Sequence, residues 1–341
     1  MPKRSLLPLG IVGLLLIVIL DSFFSVWSHH LPYFRKLRSI ESASEPNLLL
    51  LGNSLLEDRV DETLFITAAS ERGKSFRPVN TALGGIPPQE QRLLYEYALY
   101  RHPHIRTLVV GVFDFQLTAE DHTRPWNITG NGLVAIDSAV PISEVADAYN
   151  FGQLDLMQVR VLRALPFLPN RVSAWKGVEL LRRSLGEIGM PHAQTTNLGR
   201  ASDFAYLEAA AASDFDDKAY EFLQSPNRFN TSYEYIFQHA RSTGIDPVIV
   251  IMPMSPFHRA KFYSLQSWTL YRAAFIRLAS ERGIRVIDAS DWLPLGKYFD
   301  DNLHMSRTGV AEFSERLGRE LAENPVHVAN AGLGSSKSAA D

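Results

Sequence analysis

Residues 47–59 read Asn47-Leu-Leu-Leu-Leu-Gly-Asn-Ser-Leu-Leu-Glu-Asp-Arg59. Four leucines run straight into a glycine, an asparagine and a serine. A short apolar run of this kind fits either a buried strand or a buried helix segment, so its neighbours decide. Four further runs follow, Arg77 to Ala82, Thr107 to Val112, Pro247 to Met252 and Arg285 to Asp288. Most are succeeded by turn residues and a helix-like stretch, among them Glu57 to Arg72, Pro88 to Tyr100 and Leu265 to Glu281. Regular alternation of this sort predicts an α/β fold with a mainly parallel sheet, a three-layer sandwich with Leu48 to Leu51 as its first strand.

The chain has 341 residues, 46% of them hydrophobic, enough for one large core or two modest ones. Its net charge of -3 lacks the basic excess of a nucleic-acid binder. Without cysteine there is no disulfide, no thiolate metal site and no cysteine nucleophile. Gly73-Lys74-Ser75 lacks the earlier glycine of a phosphate loop, Gly130-Asn131-Gly132 lacks the third glycine of a dinucleotide fingerprint, and no His-Glu-x-x-His occurs. No metal and no cofactor is expected. Asn127-Ile-Thr129 and Asn230-Thr-Ser232 match glycosylation triplets, which arise often by chance.

Lys3 and Arg4 precede the apolar run Leu6 to Leu20, with Phe23, Phe24 and Trp27 beyond it. As helix the run rises only about 22 Å, so spanning a core of about 30 Å needs Ser22 to Trp27 as well. The best cleavage match, Val26-Trp27-Ser28, is a poor one, so residues 1–28 are expected to be a retained signal anchor in preference to a removed signal, with 29–46 as a linker. The α/β domain is expected over 47–323, interrupted at about 116–226 by a largely helical insertion with patterns at Gln158 to Leu165 and Val172 to Leu185. Within it, "LEAAAASDFDDKAYEFL" is expected to be an exposed helix and loop, and 324–341 a disordered tail.

Ser54 stands at the carboxyl end of the first strand, where open α/β sheets place ligands. It reads either as a nucleophile or, with Asn53, as the cap of the following helix. A nucleophile needs a base. Of ten histidines, only His304 has an aspartate, Asp301, three residues earlier on a tight turn after the last strand. Asp301 would orient the ring and His304 would take the hydroxyl proton.

Four blocks in order, "LLLLGNSLLEDR", "VNTALGGIPPQEQ", "VVGVFDF" and "FDDNLHMSRTG", resemble the SGNH (GDSL-like) hydrolase superfamily over residues 47–115 and 228–318. The resemblance implies Ser54 as nucleophile with Asp301 and His304 completing a triad. It also implies an oxyanion hole from the N–H of Ser54, a second-block glycine, here Gly85, and a third-block asparagine. Gly84-Gly85 also reads simply as the turn into a helix. The third block departs from the pattern, because Phe113 stands where the family places its asparagine. Gln116 is a candidate replacement donor, Asn53 and His258 are candidate substrate contacts, and Asp114 is expected to brace a turn. His192 and Arg200 are weaker candidates in the insertion.

With its anchor and insertion, the chain resembles envelope acylation proteins, namely the D-alanyl transfer protein of teichoic acids and the alginate O-acetylation group. That resemblance implies a single-pass protein of the cytoplasmic membrane whose domain faces outward. It implies an acyl donor, a polysaccharide acceptor and a membrane-bound O-acyltransferase as partner. The alternative is a non-catalytic module of the same fold that binds glycan or such an acyltransferase.

Overall fold

All five apolar runs form parallel strands, β1 (Leu48–Gly52), β2 (Pro78–Asn80), β3 (Thr107–Val112), β4 (Asp246–Ile251) and β5 (Arg285–Asp288), in the order β2-β1-β3-β4-β5. A computed structural model describes residues 32–119, 140–165, 201–224 and 228–323, with Leu15, Val18, Ile19 and Ser22. Successive strand residues alternate between the two faces of the sheet. Leu49, Leu51, Val110 and Ile249 therefore join one apolar core, while Leu48, Leu50, Val109 and Val250 join the other. Burial on both faces explains why these strands read as unbroken apolar runs.

On the first face lie helices α1 (Pro32–Ser42), α3 (Pro88–Arg101), α4 (Ile142–Tyr149), α5 (Gln153–Ala164), α6 (Ala201–Gln224), α7 (Thr231–Ser242) and α8 (Gln266–Glu281). The second face is covered by α2 (Glu62–Ser70) and α9 (Arg307–Glu323), whose Phe65, Phe313 and Leu317 are fully buried. The result is the expected three layers.

Three expectations need correction. The expected linker 29–46 contains α1, which buries Leu37 and Ile40 in the core and receives the Tyr97 hydroxyl on Glu41 at 2.7 Å. The expected helix from Glu57 starts at Glu62 instead, because Asp58 adopts φ 51° and Asp61 caps the helix by accepting from Thr63 and Leu64. In α6, Phe215, Ala219 and Phe222 are buried at helical spacing, so one face joins the core rather than lying exposed. Asn230 is buried as the cap of α7, which removes it as a glycosylation acceptor.

Most of the expected anchor, the helix Val172 to Leu185, His192, Arg200 before α6 and the tail 324–341 lie outside the described residues. Among the described residues no helix is long and apolar enough to cross a membrane.

Candidate active site

From β1 the chain moves outward to β2 and then returns past β1 to β3. The loops leaving the carboxyl ends of β1 and β3 therefore diverge, opening a crevice at the switch point. Gly52 and Gly111 face each other in register at those ends. A Cβ at Gly52 would lie 2.8 Å from the Gly111 carbonyl oxygen, and one at Gly111 3.0 Å from Leu56. The glycine pair leaves room for Leu56 to fold over the strand ends. Leu56 and Glu57 then both donate to the Asn53 carbonyl, at 3.0 and 2.9 Å, and this turn holds Ser54 at the mouth of the crevice. Ser54 is not a helix cap; Asp61 has that role.

Asp301 and His304 come from the segment between β5 and α9. Asp301 Oδ1 accepts the N–H groups of Leu303 and His304, each at 2.7 Å, while Oδ2 lies 2.8 Å from His304 Nδ1. The other ring nitrogen, Nε2, is 3.2 Å from Ser54 Oγ. With the carboxylate accepting at Nδ1, Nε2 is the nitrogen left to take a proton from the hydroxyl. Residues separated by 250 positions thus meet at one end of the sheet.

Burial pulls the Asp301 carboxyl up, but the N–H groups of His304 and Leu303 and the His304 ring outweigh it and hold the pKa at about 2. Because this is below the ordinary 3.8, ionised Asp301 stabilises the fold above about pH 4, a contribution lost as pH falls through about 2. The difference in thermal midpoint between wild type and Asp301→Asn should accordingly be full at pH 6 and shrink toward pH 2. A difference independent of pH across that range would show that the carboxylate charge is not what anchors the loop.

Arg59, seven residues beyond Gly52 in sequence, reaches across to donate to the Met305 carbonyl at 2.6 Å. It ties the serine turn to the histidine loop. Removing it should disturb the Ser54–His304 geometry without touching substrate, and small misplacements of reacting groups cost up to about 10²-fold. Arg59→Ala is expected to lower acylation about tenfold or more with KM little changed. A shift confined to KM would place Arg59 in substrate binding instead.

Gly85 has φ 71°, a left-handed conformation that favours glycine. Its neighbour Gly84 donates to Glu57 Oε2 at 2.6 Å, while the N–H groups of Ser54 and Gly85 make no hydrogen bond to the described residues. These two N–H groups are the free donors beside the serine. Gln116 lines the cavity as well; its carboxamide oxygen accepts from Asn53 at 2.7 Å and its nitrogen gives one of its two N–H groups to Tyr233 at 3.0 Å. Tyr233 in turn donates to Gln91 at 2.9 Å. Gln116 therefore holds Asn53, whose own oxygen accepts the Leu55 N–H at 2.9 Å, and the chain of bonds stiffens the serine turn.

A cavity of about 530 Å³ opens beside Ser54. Asn53 and Gly85 line it, and Phe113, Phe115, Phe215 and Phe262 give it a largely aromatic wall. Phe215 and the Asp214–Lys218 pair come from α6, so the insertion contributes part of this wall. Asp114 and His258 also meet here, His258 Nε2 lying 3.1 Å from Asp114 Oδ1. Asp114 does brace a turn, at φ 45°, but its carboxylate also holds a histidine. That pairing, and the role of Arg59, had no signal in sequence spacing. Among the described residues no three metal-ligating side chains converge.

No family model matches the chain, and no curated protein matches it. Among solved structures it is similar to a protein provisionally described as an acylhydrolase from Bacteroides fragilis NCTC 9343, at 10% identity and TM-score 0.37, covering 85% of this chain and 95% of that one. It is likewise similar to a GDSL-like lipase from Bacteroides thetaiotaomicron VPI-5482, at 10% identity and TM-score 0.37, covering 86% and 97%. Likeness of this degree carries no weight for activity.

Proposed function

We propose that this chain is a serine-dependent acyl-transfer enzyme of the SGNH type. The observation that carries the reading is the hydrogen-bonded chain Asp301–His304–Ser54 at the mouth of a ligand-sized cavity. Ser54 Oγ attacks an ester carbonyl while His304 Nε2 takes its proton; the N–H groups of Ser54 and Gly85 receive the oxyanion. The leaving alcohol departs with that proton, leaving an acyl ester on Ser54. Water or an acceptor hydroxyl then attacks it, again assisted by His304.

The finer assignment is an O-acyltransferase or esterase acting on an envelope or exported polysaccharide, tethered through residues 1–28 with its domain outside the cytoplasmic membrane. Its support is the charged and apolar N-terminal run, the resemblance of the four blocks and the insertion that helps build the cavity wall. A membrane-bound O-acyltransferase as acyl-donor partner belongs to the same reading. Phe113 favours a second reading, a non-catalytic module that binds glycan or such an acyltransferase, since losing one oxyanion donor costs about 10²–10³-fold in rate.

Mass spectrometry after incubation with activated acyl esters separates the two. An acyl adduct mapping to Ser54, absent in Ser54→Ala and formed far more slowly in His304→Ala, is expected. No Ser54-dependent adduct across several acyl donors would overturn the enzyme reading in favour of the binding module.

A further inference from the structure

The cavity beside Ser54 contains an imidazole that acylation does not use. After β4, Ser255 accepts the His258 N–H at 3.1 Å and starts the short helical turn Pro256–His258. This delivers the His258 ring to the cavity wall, where its side chain is 7% exposed. Asp114 Oδ1 accepts from both His258 Nε2 at 3.1 Å and the Tyr263 hydroxyl at 2.9 Å. Burial raises the Tyr263 phenol well above its ordinary value, and the nearby Asp114 carboxylate adds to this, so Tyr263 remains a donor. A carboxylate oxygen can only accept, so Nε2 carries a proton, and Nδ1 is the ring nitrogen left for a ligand.

Nδ1 makes no hydrogen bond to the described residues. Around it the wall is aromatic, with Phe262 4.8 Å from the His258 ring centroid and Phe113, Phe115 and Phe215 completing it. Binding cavities of this composition use their few fixed polar groups to choose the ligand's orientation and identity. Here the remaining ring nitrogen is a fixed polar group in a largely aromatic wall, and a hydroxyl, which both donates and accepts, matches it. Asp114 sits in a backbone conformation that non-glycine residues rarely adopt, and its carboxylate is the group that fixes the ring.

We propose that His258, oriented by Asp114, is the specificity residue for the alcohol that receives the acyl group from Ser54. Its Nδ1 forms a hydrogen bond with a second hydroxyl of that alcohol, so the cavity prefers a polyhydroxylated acceptor over one with a single hydroxyl. The inference rests on the acyl-transfer reading above. In the transfer step the attacking acceptor oxygen forms the new ester bond to the acyl carbon while the bond from that carbon to Ser54 Oγ breaks. The attacking hydroxyl gives its proton to His304 Nε2, which passes it to Ser54 Oγ; His258 exchanges no proton. His258 is thus a positioning residue.

The test acylates the full-length chain with nitrophenyl acetate and offers methyl glucoside and ethanol together as acceptors. Wild type should acetylate the glucoside in preference to ethanol. His258→Leu should cut the glucoside-to-ethanol product ratio about tenfold or more, because a site built around a substrate hydroxyl discriminates strongly when the pairing is intact. Acylation of Ser54, read from the nitrophenol burst, should fall by a smaller factor than the product ratio. Asp114→Asn should reduce the ratio partway, and His258→Gln, which retains an acceptor oxygen, should recover part of it.

An unchanged ratio in folded His258→Leu overturns the proposal, as does equal loss of acylation and transfer or a wild type indifferent to the glucoside. If the leucine variant does not fold, His258→Gln and Asp114→Asn decide by the same ratio. A normal Ser54 adduct with an unaltered ratio defeats this inference alone, whereas absence of any adduct in wild type defeats the acyl-transfer reading and this inference with it.

Discussion

Ser54→Ala is expected to lower turnover of an acyl ester by about 10⁴–10⁶-fold, the range found when a triad serine is removed. The loss is large because no other hydroxyl stands within hydrogen-bond reach of His304 Nε2 among the described residues. His304→Ala should cost a similar factor, since the hydroxyl 3.2 Å away then has no base. Asp301→Asn should be milder, at most about 10⁴-fold, because Asp301 orients the ring without touching the reacting atoms. Its side chain is 57% exposed, so water competes for the ring proton. Groups that act as a unit lose their effect together, so Ser54→Ala combined with His304→Ala should be no worse than either alone. Steady-state rates of the three single variants and the double variant check this. Multiplicative losses in the double variant, or more than a hundredth of wild-type turnover in Ser54→Ala, would remove Ser54 from the reaction.

Gly309→Ala should destabilise the fold and slow acylation together. Gly309 lies in the first turn of α9, and a Cβ there would overlap the Tyr298 carbonyl oxygen and come within 3.3 Å of Met305 Cβ. The same Tyr298 oxygen accepts the Ser306 N–H at 2.8 Å, Phe299 pairs with Met305, and Asp300 donates to the His304 carbonyl at 2.9 Å. These contacts close the loop that carries Asp301 and His304. Alanine gains about 1 kcal/mol of helix propensity over glycine. Overpacking costs about 1–3 kcal/mol and occasionally more. The steric cost wins here because the obstacle is backbone, which cannot rotate away as a side-chain tip does. A midpoint lowered by about 2–4 °C per kcal/mol is expected for a domain of this size. Acylation should fall by up to about 10²-fold as the loop shifts. Thermal unfolding and single-turnover acylation measured on the same preparation check both; a variant equal to wild type in each would show that Tyr298 moves aside at no cost to the loop.

The strands, their parallel order of turns and helices, and the Ser54, Asp301 and His304 candidates were legible because each is encoded locally. A strand covered on both faces must be apolar at every position, as Leu48 to Leu51 are, and a histidine held by an aspartate three residues earlier needs only a tight turn. Less legible were features whose partners are distant in the chain. Gln116 read as a candidate amide donor from its place after β3, but its partners Asn53 and Tyr233, which fix the amide, are distant in the chain. The stretch of α6 read as exposed from its aspartates and alanines, yet Phe215, Ala219 and Phe222 turn one face inward.

By itself, then, the sequence determined which residues form the sheet and which hydroxyl, imidazole and carboxylate groups are candidates for the site, because short-range periodicity and turn residues act within a few positions. The tertiary structure decided which of those groups meet. It joined Ser54 to His304 across 250 positions, tied Arg59 to Met305, and set His258 against Asp114 across 144. Such encounters follow from the strand order at the switch point and from the packing of α6 and α9, and neither is written in the spacing of the residues that they bring together.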